Sequence, residues 1–277
     1  MKSKIKMIAF DLDGTILTTD KRLTERTRRA LEQAVEKGIH IIPATGRPMS
    51  GIPKEIIDFP GIRYIVSSNG ARVLDMKNRD VLYEETLPVE KAGEILDIFE
   101  KYDTLREIYY DGIGYADRGR LEQIEKYQKD PAMQRYICTT RRPVESTRVK
   151  FETENRGLDK IQALFVSQED KLEAWESIES QVGDVEVTGA LSNNIEVNAK
   201  GIHKGAALQF LGEMLGLSMD EVITFGDGSN DIKMLEMAGT GVAMANSVQN
   251  VLDIADITAM SNDEDGVARI IEQYVLE

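Results

Sequence analysis

The chain has 277 residues, 42% of them hydrophobic and 30% charged, and a formal net charge of −14. That length buries a core without staples and fits two ordinary domains better than one. The acidic balance argues against a general nucleic-acid binder, whose affinity comes from Lys and Arg neutralising phosphates, and the single Cys138 excludes an intrachain disulfide or a multi-cysteine metal site.

The opening MKSKIKMIAF runs straight into a charged segment, with no apolar stretch long enough for a signal peptide or membrane span, so a soluble cytoplasmic protein is expected. Lys4 to Phe10 reads as a buried strand that breaks at Asp11. From Thr24 to Lys37, the residues Ala30, Leu31, Ala34 and Val35 recur at helical spacing, with Thr24 as N-cap and Gly38 as stop signal. A second strand, Ile39 to Ala44, ends in Thr45-Gly46-Arg47-Pro48. After another helix, a third strand, Tyr64 to Ser67, leads into Ser68-Asn69-Gly70. This rhythm implies an α/β, doubly wound parallel sheet with helices on both faces.

The stretch from about Tyr83 to Leu191 has a different rhythm. It reads as helices at Val89 to Tyr102, Leu121 to Lys129 and Gln168 to Gln181, mixed with strands at Arg106 to Tyr110, Lys160 to Val166 and Asp184 to Thr188. The strand and helix alternation then resumes, with strands at Glu221 to Phe225 and Gly241 to Ala245 and helices at Ser229 to Ala238, Val248 to Ala255 and Gly266 to Val275. The expected organisation is a core of residues 1–82 and 191–277 interrupted by an inserted α+β domain, residues 83–190.

Four polar segments sit where strands end or helices begin. In Phe10-Asp11-Leu12-Asp13-Gly14-Thr15 two carboxylates stand two residues apart at the carboxyl end of a strand, the edge where open α/β sheets bind ligands. A turn there aims both at one point, which suits a hard cation such as Mg2+ beside one reacting carboxylate, although a capped loop gives the same pattern. Thr45, Gly46 and Arg47 offer a hydroxyl and turn N–H groups for phosphate oxygens, or form a plain turn. Lys204, entering a helix, is a point charge for phosphate or a solvated lysine. Gly226-Asp227-Gly228-Ser229-Asn230-Asp231 supplies two more acids and an amide, more than helix capping requires. Together these segments give one sheet edge three or four carboxylates, a hydroxyl and an ammonium, an inventory for metal-assisted phosphoryl transfer.

The segments FDLDGT, ATGR, the Lys of GIHKGAAL and GDGSND, in this order, resemble the four motifs of the haloacid dehalogenase superfamily. The triplet at Asn69 and the closing GVAMAN and NDEDGVA stretches resemble its Cof-type phosphatases, which carry a large cap (subclass IIB) between the second and third motifs. The resemblance covers most of residues 5–82 and 191–277, while the cap matches only loosely.

The resemblance implies a Mg2+-dependent phosphatase with Asp11 as nucleophile and Asp13 as general acid/base. It implies that Thr45 binds a phosphate oxygen, with Gly46, Arg47, Asn69 and Asn230 also facing the substrate, and that Lys204 holds nucleophile and phosphate. Mg2+ would be held by Asp11, by Asp13 through its backbone carbonyl, and by Asp227, with Asp231 and Asn230 supporting the set. His203 and Ala245 depart from common family residues without touching these roles.

The expected partner is a small phosphorylated metabolite, sugar phosphates first, with no nucleic acid or membrane, in a monomer or homodimer. A phosphomutase, an idle phosphometabolite-binding protein and a receiver accepting phosphate on an Asp are the alternatives. Tyr110, Asp111, Tyr115, Arg118 and Arg120 are candidate substrate selectors in the inserted domain, against packing and solvated surface.

Overall fold

The computed structural model describes residues 5–189 and 191–276. The expected strand start at Lys4 and the domain limits set at residues 1, 190 and 277 therefore lie outside the described residues. Among the described residues fourteen strands run in chain order: β1 (Met7–Phe10), β2 (His40–Pro43), β3 (Tyr64–Ser67), β4 (Arg72–Asp75), β5 (Asp80–Glu84), β6 (Thr104–Tyr110), β7 (Ile113–Asp117), β8 (Arg141–Val144), β9 (Lys160–Phe165), β10 (Val185–Thr188), β11 (Asn194–Ala199), β12 (Val222–Gly226), β13 (Thr240–Ala243) and β14 (Ile257–Thr258). Among the described residues no helix is long and apolar enough to cross a membrane.

The chain forms two compact units. The first comprises Met1–Gly46, Pro53–Tyr83 and His203–Glu277. Its main sheet has the order β14-β13-β12-β1-β2, with every pairing parallel. A parallel bridge between Ala44 and Val66 ties β3 to the end of β2. Parallel sheets covered by helices read as continuous apolar runs, and the Met-Ile-Ala-Phe of β1 is buried at all four positions. The helix Glu25–Glu36 starts at Thr24, whose side chain accepts from the Thr27 N–H, and buries Ala30, Leu31 and Ala34, as its spacing predicts. The helix Lys204–Leu215 is capped by the His203 side chain and ends at Gly216 in the left-handed region. Strands β4, β5 and β14 were not foreseen: β3 turns back antiparallel through β4, and the three-stranded order is β3-β4-β5.

The second unit comprises Arg47–Ile52 and Glu84–Ile202, so it runs past the expected boundary at 191 and also takes the six residues after Gly46. The physical reason is strand pairing. β11 pairs antiparallel with both β9 and β10 inside a sheet of order β10-β11-β9-β6-β7-β8. On one face, Ile108, Ile161 and Ile195 join the apolar side of the helix Val89–Phe99. On the other, Leu105, Ala116 and Leu164 pack with Leu121, Tyr127, Met133 and Ile137. The fold is a parallel-sheet α/β core with an inserted α+β unit.

Candidate active site

The first unit gathers its chemistry where parallel strands end. Asp11 follows β1, Thr45 lies two residues beyond β2, Ser68 and Asn69 follow β3, and Asp227 follows β12. Backbone bonds lock these ends together: Asp11 N–H donates to Phe225 O (3.0 Å), Ala44 N–H to Phe10 O (2.8 Å), Thr45 N–H to Val66 O (2.9 Å) and Asn69 N–H to Thr45 O (3.0 Å). Strand order alone thus brings four segments, distant in sequence, to one edge.

Lys204 is the hub. It opens a helix yet is fully buried, and its Nζ donates to Asp11 Oδ1 and Asp231 Oδ1, each at 2.6 Å. A cation at a helix N-terminus opposes the macrodipole, so the two carboxylates supply the stabilisation. Burial works against the Lys204 charge, but Asp11 and Asp231 outweigh it and hold its pKa above the ordinary lysine value.

Asp231 uses its second oxygen to accept from the N–H groups of Asp227 (2.9 Å) and Gly228 (3.0 Å). It therefore shapes the loop that presents Asp227. A side chain at Gly226 would overlap Asp231, so the close approach requires glycine there. Asp227 Oδ1 accepts from the Thr15 hydroxyl at 2.7 Å. Gly14, at φ +77°, brings backbone so close that any Cβ would strike the Asp227 carboxylate.

One oxygen from each of Asp11, Asp227 and Asp231 lies within 4.8 Å of the others. Three carboxylates here face the single ammonium of Lys204. Burial first, then the Asp231 and Asp13 charges, push Asp11 above the ordinary carboxylate range although Lys204 opposes them. Burial, then Asp231 and Asp11, do the same to Asp227. The raised values record burial first and then the mutual repulsion of the carboxylates, and a divalent cation would relieve the repulsion. The donors are all hard oxygens, as Mg2+ prefers, so the residues fit that ion. Asp231 is engaged at both oxygens by Lys204 and the loop N–H groups, whereas Asp11 and Asp227 each keep an oxygen that could hold such an ion.

The other expected residues separate into those near this cluster and those elsewhere. Asn230 is buried and donates to Asn69 Oδ1 at 3.0 Å, joining the β3 and β12 loops. Thr45 is buried, and Gly46 closes the first unit's first segment. The Asp13 carboxylate is outside the three-acid group and forms an ion pair with Lys21 at 2.7 Å. Arg47 belongs to the second unit, where it donates to Gly51 O at 2.8 Å and stacks 4.2 Å from the Tyr136 ring centroid.

The candidate selectors have mostly structural partners. Tyr110 is in the apolar cluster, Asp111 pairs with Arg156 at 2.5 Å, and Lys150 lies 4.7 Å from the Tyr115 ring. Arg120 pairs with Asp103 at 2.6 Å beside a depression of about 510 Å³. Arg118 is exposed.

Sequence reasoning missed Thr15, Lys21 and Asn246 as site residues, the last donating to Gly14 O at 2.8 Å. It also missed a buried polar face in the second unit. There Glu107 accepts from Tyr109, Arg141 (2.6 Å) and Gln162 (3.1 Å), and Lys160 pairs with Glu196 (2.7 Å). The signal was present as strict polar and apolar alternation in Lys160-Ile161-Gln162 and Asn194-Ile195-Glu196-Val197-Asn198.

A profile of the haloacid dehalogenase-like hydrolases matches residues 8–271. The chain belongs to that family. Among similar proteins, the 5-amino-6-(5-phospho-D-ribitylamino)uracil phosphatase YitU of Bacillus subtilis (strain 168) is 30% identical, with 99% of each chain covered. A haloacid dehalogenase-like hydrolase from B. subtilis superposes with TM-score 0.86 at 28% identity, covering 97% of this chain and 99% of that one. The subclass IIB sugar phosphatase BT4131 superposes with TM-score 0.85 at 25% identity, covering 98% and 100%.

Proposed function

We propose that this hydrolase is a Mg2+-dependent phosphatase of small phosphorylated metabolites, sugar phosphates first, acting through a phosphoryl group carried on Asp11. The observation behind the reading is the buried convergence of Asp11, Asp227 and Asp231 on Lys204. The substrate class draws on the relatives, one named for a phosphoribityl compound and one as a sugar phosphatase.

Asp11 and Asp227 would hold the cation, which when bound neutralises carboxylate and phosphate charge and polarises the phosphoryl oxygens. Lys204 keeps Asp11 ionised and oriented: one carboxylate oxygen is fixed by the ammonium, and the other attacks phosphorus. Thr45 and the Asn69–Asn230 pair line the same edge with neutral donors for the phosphoryl oxygens. Asp13 gives its proton to the leaving alkoxide as the P–O bond breaks, then takes one from the water that attacks the aspartyl-phosphate.

The test is inorganic phosphate release from a panel of phosphorylated metabolites, with Mg2+ and with chelator, for the wild type beside Asp11→Asn. Metal-dependent release that disappears in the variant supports the reading. Folded, Mg2+-supplied wild type that releases phosphate from no member contradicts it.

A further inference from the structure

Between β1 and the helix Glu25–Glu36 the chain makes a tight hairpin. Leu17 bridges both Asp13 and Leu23, Thr18 N–H donates to Arg22 O (3.0 Å), and Lys21 N–H donates to Thr18 O (2.7 Å). The hairpin is pinned at two further points. Asp263 accepts from the Thr19 N–H (2.8 Å) and hydroxyl (2.7 Å), and Glu55 accepts from the Leu23 N–H (3.0 Å).

Within this fixed turn Lys21 adopts φ +62°. The left-handed region favours glycine, with Asn or Asp next, because a Cβ crowds the backbone there. A lysine at such a position is strained, and strain of this kind gathers at functional sites. Its side chain supplies the reason for keeping it: Nζ lies 2.7 Å from Asp13 Oδ1, with both side chains about three-quarters buried at 27% exposure.

We propose that Lys21 is a positioning residue for the phosphatase reaction, its ammonium fixing the Asp13 carboxyl group from the strained hairpin turn so that it can exchange a proton with the leaving group. The proposal rests on the reading of Asp13 as acid/base. In the step concerned, Asp13, having taken up a proton from solvent before the bond breaks, gives it to the leaving oxygen, on which the electron pair of the broken P–O bond stays. Lys21 then holds the carboxylate that remains. Esters with poor leaving groups need this proton, and aryl esters with good leaving groups do not.

The experiment compares kcat on an alkyl phosphate and on p-nitrophenyl phosphate for wild type, Lys21→Gly, Lys21→Arg and Asp13→Asn, with thermal unfolding of each. Lys21→Gly is expected to keep or raise the melting temperature, because it relieves the turn. It should lose about tenfold or more on the alkyl ester, a fraction of what a positioned acid contributes, while the aryl ester changes little and Lys21→Arg recovers most of the alkyl rate.

If Asp13→Asn discriminates between the esters but Lys21→Gly does not, whether it loses both equally or neither, the proposal is overturned and the ion pair is structural. If wild type hydrolyses neither ester, or Asp13→Asn fails to discriminate, the reading beneath it fails and takes the proposal with it.

Discussion

Replacing Lys204 with Met keeps the length of the side chain and removes the ammonium that pairs with two of three converging carboxylates. The folded variant can avoid the uncompensated charge by taking up a proton on one carboxyl group. Relative to an ordinary value near ~3.9, holding that proton at pH 7 costs about 4 kcal/mol, since each unit is worth about 1.4 kcal/mol. The figure falls within the ~3–5 kcal/mol expected when one partner of a buried ion pair is removed. At pH 5 the same arithmetic gives about 1.5 kcal/mol. Urea unfolding of wild type and Lys204→Met in chelator at both pH values, followed by circular dichroism, measures the two penalties. A deficit at pH 7 under about 1 kcal/mol, or one that is the same at both pH values, would refute the charge argument and leave only packing.

Two further outcomes follow from the same geometry. Gly14→Ala, at φ +77° and against Asp227, should lower stability by about 2 kcal/mol or more in thermal unfolding and raise the Mg2+ concentration needed for half-maximal activity; an unchanged metal requirement would separate Gly14 from the site. Asp11 and Asp227 have raised folded pKa values, so their contribution to stability is fully present below about pH 4 and is lost as pH climbs through the raised values. Mg2+ binds the ionised forms, so the stabilisation it produces, read as a rise in melting temperature, should grow from acidic to neutral pH, with about 2.7 kcal/mol expected at a hundred times its Kd; a rise that does not depend on pH would contradict this.

The site was more legible than the inserted unit because its residues are local signals. Asp11, Thr45, Lys204 and Asp227 each stand at a break between a periodic run and a turn, and parallel strand order does the rest. Lys21 could not be seen in this way, since its link to Asp13 depends on the shape of a hairpin turn that no spacing announces. The boundary at residue 191 was misplaced for a related reason. Asn194 to Ala199 alternates as a strand should, but only pairing with β9 and β10 decides which sheet it joins. Arg47 shows the same limit: the sequence groups it with Thr45, whereas its stacking on Tyr136 depends on a helix ninety residues away.

The central claim is that phosphate passes through Asp11. Wild type and Asp11→Asn, mixed with a phosphorylated substrate and Mg2+ and quenched in acid within the first turnover, can be digested and read by mass spectrometry. The account predicts a phosphoryl group on the peptide that contains residue 11, removed by hydroxylamine and absent from the variant. Phosphate release by wild type with that peptide never modified, or release sustained in Asp11→Asn, would contradict it.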